Sequence, residues 1–469
     1  MSMKSELSEH DLLHLTEAQA RELIARDPEL GLWALLQLCA LKRSRQAAAA
    51  AAISTPPAQV APYEKPAVKK RARKRGRKAG HEGVRRAPPL EIDEHREHEL
   101  ERCPDCGGPV GPARSKRRRV IEDIDEARVT ATEHVIASHY CPRCKKRVEP
   151  RVAEALPRST IGNRAVVLSS WLHYGLGQSL SQIVSVFDSL FHFPISAGAL
   201  SQQWTRIGAI FAPWYEQIAE EARNGAVLHA DETGWRVEGR THWMWCFTNP
   251  SLSYYVIDPS RSSQVVNDFL KETYAGTLVS DFFSAYNLVA AEGRQVCFAH
   301  LLRELKKVDL TNTSERWLGF RRTLGRILQD AMRLARRADR EAPDFASKRQ
   351  RIEERMDCLL AAADGEDADA QRLAQRLRKH RAHLFRFLYN PLIPFDNNRA
   401  EREIRPAVIA RKNSLHNTSQ NGAKTQALLL SIYRTLKLRN LDPLQTIADA
   451  LTLYLANNQL PPLPRMNDP

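Results

Sequence analysis

Apolar positions recur at helical spacing near the start of the chain. Leu12, Leu13, Leu15, Ala18, Leu23 and Ile24 predict a helical region over 1–45. The alanine run Ala47–Ala52 then passes into Pro-, Ala- and Lys-rich sequence, the composition of a linker over 46–97. Helical periodicity resumes over 151–224. There Ser179–Phe193 and Ser196–Ile210 read as two helices about a short turn, the spacing of a helix-turn-helix.

The pattern changes at Ala226. Residues Ala226–Asp231 form a short apolar strand ending in an acid. Thr241–Thr248 and Ser251–Ile257 are β-branched and aromatic, with Asn249-Pro250 as the turn between them. A helix over Ser262–Thr273 leads to a second apolar strand, Gly276–Asp281, again ending in an acid. A third strand, Gln295–Ala299, enters a helix at His300. Antiparallel strands followed by helix–strand–helix–strand–helix predict a mixed α/β sheet over 225–304 with acids at its strand tips. Residues 305–388 are Leu- and Arg-rich and read as a helical insertion, broken at Gly365-Glu366-Asp367. The last segment, 389–469, returns to the core with the patterned stretch Phe395–Arg405 and helices Thr425–Leu438 and Pro443–Asn457.

Composition alters this picture in two places. The 469 residues carry 70 Lys and Arg against 55 Asp and Glu, a net +15. Between Lys65 and Arg86 stand eleven basic residues and one acid, a local +10. A block of Lys69, Lys70, Arg71, Arg73, Lys74, Arg75, Arg77 and Lys78 cannot fold alone and reads as an arm for nucleic acid. No apolar run approaches the roughly 18–20 residues that span a bilayer. Acids (Glu6, Glu9, Asp11) stand where a signal peptide carries basic residues, so we expect neither secretion nor a membrane partner.

Four of the eight cysteines form two CxxC pairs, Cys103/Cys106 and Cys141/Cys144, separated by 34 residues. Two thiolate knuckles complete a tetrahedral Zn²⁺ site, so 98–150 reads as a structural, zinc-ribbon-like module; a redox CxxC is the other reading. The remaining cysteines (Cys39, Cys246, Cys297, Cys358) read as small buried hydrophobes.

Three acids carry candidate chemistry. Two-metal phosphoryl transfer needs carboxylates close enough to hold two Mg²⁺ ions about 3.5–4 Å apart. A ribonuclease-H-like sheet supplies them from a central strand, its neighbour and a later helix. Asp231 and Asp281 fit the first two places. In Asp396–Pro406, read as a helix, Asn397, Asn398, Glu401 and Arg405 share a face suited to a metal beside a phosphate. The bland reading is a solvated helix start capped by Asp396. His300 and Arg303, one turn apart, suit a scissile phosphate, with His300 as a helix cap the alternative. Trp235, Trp243 and Trp245 read as core or hairpin packing.

Gly276–Asp281 with Ala285-Tyr286-Asn287, then Cys297–Arg303, then Asp396–Pro406 with Arg411-Lys412-Asn413, together resemble the insertion-sequence-66 family of transposases. His229–Thr233 and Gly80-His81-Glu82-Gly83 with the double CxxC match the same layout. The resemblance implies a DDE-type transposase of the bacterial nucleoid: a ribonuclease-H-like catalytic domain, an insertion before the last acid, and Mg²⁺. Carried over, the triad is Asp231, Asp281 and Glu401, with Arg402, Arg405, Arg411 and Lys412 as further DNA contacts. Its implied partners are double-stranded DNA (element ends and target), further copies of the chain and accessory proteins. Glu403 competes with Glu401, but helix geometry turns about 100° per residue, so both cannot face the metals, and we back Glu401. The alternative function is a zinc-containing DNA-binding protein or regulator without catalysis.

Overall fold

The computed structural model describes scattered positions between 19 and 37, residues 105–109 and 111, and 129–466 apart from 144, 272, 364–366 and 415. The basic arm, Cys103 and Cys144 lie outside the described residues. The chain divides into two compact units, Met1–Ala127 and Arg128–Pro469. In the first, the described positions between 19 and 37 are mostly helical. The second opens with a small antiparallel hairpin, β1 (His139–Cys141) and β2 (Lys146–Val148). Among the described residues no helix is long and apolar enough to cross a membrane.

The main sheet has five strands in the order β5-β4-β3-β6-β7. Strands β3 (Val227–Val237), β4 (Arg240–Asn249) and β5 (Leu252–Asp258) form an antiparallel meander. Glu238 and Gly239 join β3 to β4 with φ of 53° and 73°, the paired positive angles of a type I′ hairpin turn. Strands β6 (Tyr274–Ser280) and β7 (Ala291–Val296) add in parallel on the other side of β3.

Alternation along the strands divides the core. On β4, Trp245 and Phe247 face one cluster, while Met244 and Cys246 face another. The first is packed by helices α1 (Asn163–Ser170), α2 (Leu180–Phe191) and α3 (Ala197–Arg223), and by α4 (Ser263–Leu270) between β5 and β6. Helix α5 (Phe298–Val308) follows β7. The insertion consists of α6 (Glu315–Ala335), α7 (Pro343–Ala362) and α8 (Ala368–Lys379), which build their own core against α5 and the ends of β6 and β7. Helices α9 (Asn398–Ser414), α10 (Gln420–Leu438) and α11 (Pro443–Asn457) complete the unit.

Several expectations change. The third strand runs over Ala291–Val296 rather than Gln295–Ala299, because α5 already begins at Phe298. β3 does not end at Asp231 but runs six residues further, because its distal half pairs with β4 through Val237↔Arg240. The second helix of the suggested helix-turn-helix extends to Arg223, burying Leu200, Trp204, Ile207, Phe211, Trp214 and Ile218 in the main core. The insertion carries a second break, between Ala335 and Pro343. Of the single cysteines, Cys246 and Cys297 are buried and Cys358 is exposed.

One pH effect follows from the insertion. His380 caps the C-terminus of α8, is 3% exposed and packs edge-on against Phe282 at 5.4 Å. Burial, together with Arg294, His383, Lys379 and Arg376 around it, holds its pKa down to about 4. The unfolded chain takes up this proton near 6.5, so stability is present above that value and lost as pH falls from 6.5 toward 4. Urea midpoints measured across this window fall less steeply in His380→Gln; an unchanged slope removes His380 from the effect.

Candidate active site

Parallel pairing of β3 with β6 stops at His229↔Val279, and the two strands part beyond it. Crevices at the carboxyl ends of parallel strands are where open α/β sheets place ligands. Asp231 lies on β3 just past that point, and Asp281 is the first residue after β6. Asp281 Oδ1 accepts the Phe283 N–H at 2.8 Å, an Asx turn that ends the strand and starts the 3₁₀ turn Ser284–Leu288. Asp231 Oδ1 accepts the Glu232 N–H at 3.0 Å. Burial pushes Asp231 well above the usual carboxylate range, and the charges of Glu232, Asp281 and Glu401 push it further. Asp281 is raised by burial too, against the pull of Phe283 N–H, Arg261 and Arg376.

The third acid comes from α9. Glu401 stands in its first turn, 30% exposed, ion-paired with Arg303 and 3.5 Å from His300 Nδ1. Burial and Arg303 lower the His300 pKa. Glu403, two residues on, points elsewhere: it is 6% exposed and accepts from Arg434 Nη2 at 2.7 Å, Arg434 Nε at 3.0 Å and Ser253 Oγ at 3.2 Å.

Two of the suggested DNA contacts are committed to the protein itself. Asn397 is fully buried; its Oδ1 accepts from His229 Nδ1 at 2.9 Å, and its Nδ2 donates to the Ala230 carbonyl at 2.8 Å. Its backbone N–H reaches Cys297 Sγ at 3.1 Å, so this residue staples the start of α9 to β3 and to the end of β7. Arg411 is half-buried and donates to the Gly234 carbonyl and to Thr233 Oγ1, closing α9 onto β3. By contrast Asn398, Arg303, Arg402, Arg405 and Lys412 are exposed, and His300 is half-buried. Trp235 and Trp245 are buried packing residues, whereas Trp243 is half-buried under a guanidinium.

That guanidinium is Arg261, which the sequence reading missed. It lies between the rings of Trp243 (4.3 Å) and Phe283 (4.0 Å). Its Nη2 and Nε donate to Glu232 Oε1 at 2.8 and 3.2 Å, and Tyr286 Oη donates to Glu232 Oε2 at 2.7 Å. Arg261 therefore ties the residue after Asp231 to the residue two after Asp281, fixing the spacing of the two acids. From the insertion, Arg376 lies 4.6 Å over Phe282 and pairs with Glu304, bracing the same loop. No local pattern marks Arg261, because its partner Glu232 is 29 residues away.

Breaking this clamp has a measurable cost. The Glu232 side chain is 3% exposed. Arg261→Leu leaves that charge buried and unpaired, an expected loss of about 3 kcal/mol in urea unfolding. The double variant Glu232→Gln/Arg261→Leu recovers part of it, and a purely additive cycle contradicts the pairing.

Comparison with known proteins gives the same direction. A family model described as "Transposase IS66 family" matches residues 158–425, more than half of the chain. The chain is similar to three proteins of Sinorhizobium fredii (strain NBRC 101917 / NGR234). The uncharacterized protein y4qI is 26% identical over 296 residues, 55% of this chain and 53% of that protein. The uncharacterized protein y4hP is 24% identical over 400 residues, 74% of this chain and 70% of its own length. The uncharacterized protein y4jD is 24% identical over 285 residues, 55% of this chain and 56% of its own. The chain thus spans about half the length of y4qI and y4jD.

Proposed function

The chain belongs to the IS66 transposase family, and from that premise we propose that it binds the ends of an insertion sequence and catalyses metal-dependent DNA cleavage and strand transfer. The observation that carries this reading is the pair Asp231 and Asp281 at the parting of β3 and β6, with Glu401 on the helix that Asn397 pins beside them. The sheet order, with the first acid on the central strand and the second on its parallel neighbour, supports a ribonuclease-H-like domain.

The donor set fits Mg²⁺. The acids offer hard carboxylate oxygens, and two of them are held above their ordinary pKa by burial and mutual repulsion, a strain that a bound dication relieves. Asp231, Asp281 and Glu401 would hold the ions, which would supply neutralisation of phosphate charge and a more acidic attacking water or 3′-hydroxyl. The protein's own groups hold this arrangement ready. Arg261 and Arg376 fix the Asp281 loop, while Arg303 and His300 restrain Glu401 at the edge of the crevice, where the Arg303 guanidinium also suits a DNA phosphate.

Exposed Asn398, Arg402, Arg405 and Lys412, together with the arm over 65–86, supply backbone contacts to DNA in this reading. In this reading Cys103, Cys106, Cys141 and Cys144 would hold one structural Zn²⁺. Self-association on DNA and accessory proteins complete the proposal. Its test is cleavage of a labelled element-end duplex by the full chain with Mg²⁺ and with a chelator. Metal-dependent nicking is the expected result. Binding without cutting in either Mg²⁺ or Mn²⁺ overturns it in favour of a non-catalytic DNA-binding protein. Repeating the binding over a salt series without residues 65–86 tests the arm, since lost phosphate contacts flatten the salt slope.

A further inference from the structure

Three unlike ligand groups meet beside the acids. Cys297 follows the last residue of β7 and precedes α5, His300 lies in the first turn of α5, and Glu401 lies in the first turn of α9. One ligand atom from each, the thiol sulfur, an imidazole nitrogen and a carboxylate oxygen, lies within 4.8 Å of the others. The sulfur already joins the two helix starts by accepting the Asn397 N–H, so the three groups are held on one rigid corner.

This donor set differs in kind from the neighbouring carboxylates. Thiolate with imidazole selects borderline-soft ions such as Zn²⁺ over Mg²⁺. Zn–S bonds of about 2.3 Å and Zn–N bonds of about 2.0 Å place tetrahedral donors about 3.5 Å apart. Rotation of His300 and Glu401, both partly exposed, supplies the remaining contraction. The corner also carries a removable cation. Arg303 pairs with Glu401, approaches His300 Nδ1 at 3.4 Å and is 48% exposed, so it can swing into solvent when another cation enters.

We propose that Cys297, His300 and Glu401 form a binding site for a Zn²⁺-class cation that inhibits the protein by withdrawing Glu401 from the two acids. The metal takes the sulfur, one imidazole nitrogen and one carboxylate oxygen, with water in the fourth position. The thiol proton leaves to solvent as the metal binds, so binding strengthens as pH rises. The binding stands by itself; the inhibition rests on the reading of Glu401 given above.

Cobalt(II) titration of the full chain tests the binding, through the near-ultraviolet band of a thiolate–cobalt bond. Wild type is expected to take one equivalent more than Cys297→Ser and than His300→Ala, whatever the double-CxxC cysteines bind in all three. Equal stoichiometry and equal band intensity in the three proteins overturn the site. Circular dichroism and melting check each variant's fold, and His300→Ala, changed at a half-buried position, decides the matter if Cys297→Ser does not fold. For the inhibition, Zn²⁺ is titrated into Mg²⁺-dependent cleavage. Cys297→Ser, whose hydroxyl still accepts the Asn397 N–H, should need at least tenfold more Zn²⁺ for half-inhibition. Equal sensitivity overturns the regulatory role. A chain that cuts no DNA refutes the proposed function, while the cobalt result still decides the site.

Discussion

Asp231→Asn and Asp281→Asn should each abolish cleavage and strand transfer while leaving DNA binding intact. Asparagine keeps the shape of the side chain and removes the charge that a metal needs. Metal-bound charge stabilises a phosphoryl-transfer transition state by several kcal/mol, and each ~1.4 kcal/mol is tenfold, so the loss is about a thousandfold or more. The same variants should melt no lower than wild type without Mg²⁺. Both carboxyls are raised by burial, so their ionised forms cost stability at neutral pH, and that cost is removed with the charge. Mg²⁺ should raise the melting temperature of wild type and not of Asp231→Asn. Single-turnover cleavage and melting curves, with and without Mg²⁺, check these outcomes. Full activity in both variants sinks the DDE assignment.

Glu401→Gln and Glu403→Gln separate in opposite directions. Glu401 is partly exposed and, among the described residues, pairs with Arg303 and His300, so Gln in its place should leave the fold standing and remove the proposed third metal ligand. Activity should fall by orders of magnitude, with a melting temperature close to wild type. Glu403 is buried, and its Oε2 accepts from both Nε and Nη2 of Arg434, whose side chain is 13% exposed. Removing its charge strands that guanidinium and should cost about 3 kcal/mol, while each molecule that remains folded keeps its activity. Urea unfolding beside cleavage rates normalised to folded protein distinguishes the two. A dead Glu403→Gln with an active Glu401→Gln would exchange their roles.

Local structure was legible wherever the chemistry of neighbours decides it. The β4 and β5 strands carry dense β-branched and aromatic residues, and the structure places them at Arg240–Asn249 and Leu252–Asp258, within a residue or two of the sequence reading. Helix α11 begins at Pro443 behind the Asp442 cap, and both signals sit in the sequence itself. Where long-range pairing competes with local preference, the sequence reading stopped short. Asp231-Glu232-Thr233-Gly234 resembles a strand end, yet nine register pairs with β4, from His229↔Thr248 to Val237↔Arg240, carry β3 through it. Helix α3 looked finished at Ile210, but Phe211, Trp214, Ile218 and Ala222 continue its buried face to the last turn.

The site divides along the same line. By itself the sequence singled out the candidate acids, their order and the helix bearing the third, because strand pattern and residue type are local properties. It also determined that Glu401 and Glu403 face different ways, since the turn of a helix requires it. Only the tertiary structure decided which polar residues remain available to a ligand. Asn397 and Arg411 read as DNA contacts until their hydrogen bonds to Ala230, His229, Gly234 and Thr233 are seen. Arg261 reads as nothing in particular until Glu232 is brought to it, and Cys297 reads as a small buried hydrophobe until Glu401 joins it and His300 from a distant segment. A side chain's donors and acceptors are fixed by its type, but whether they are already satisfied depends on partners that only folding brings within reach.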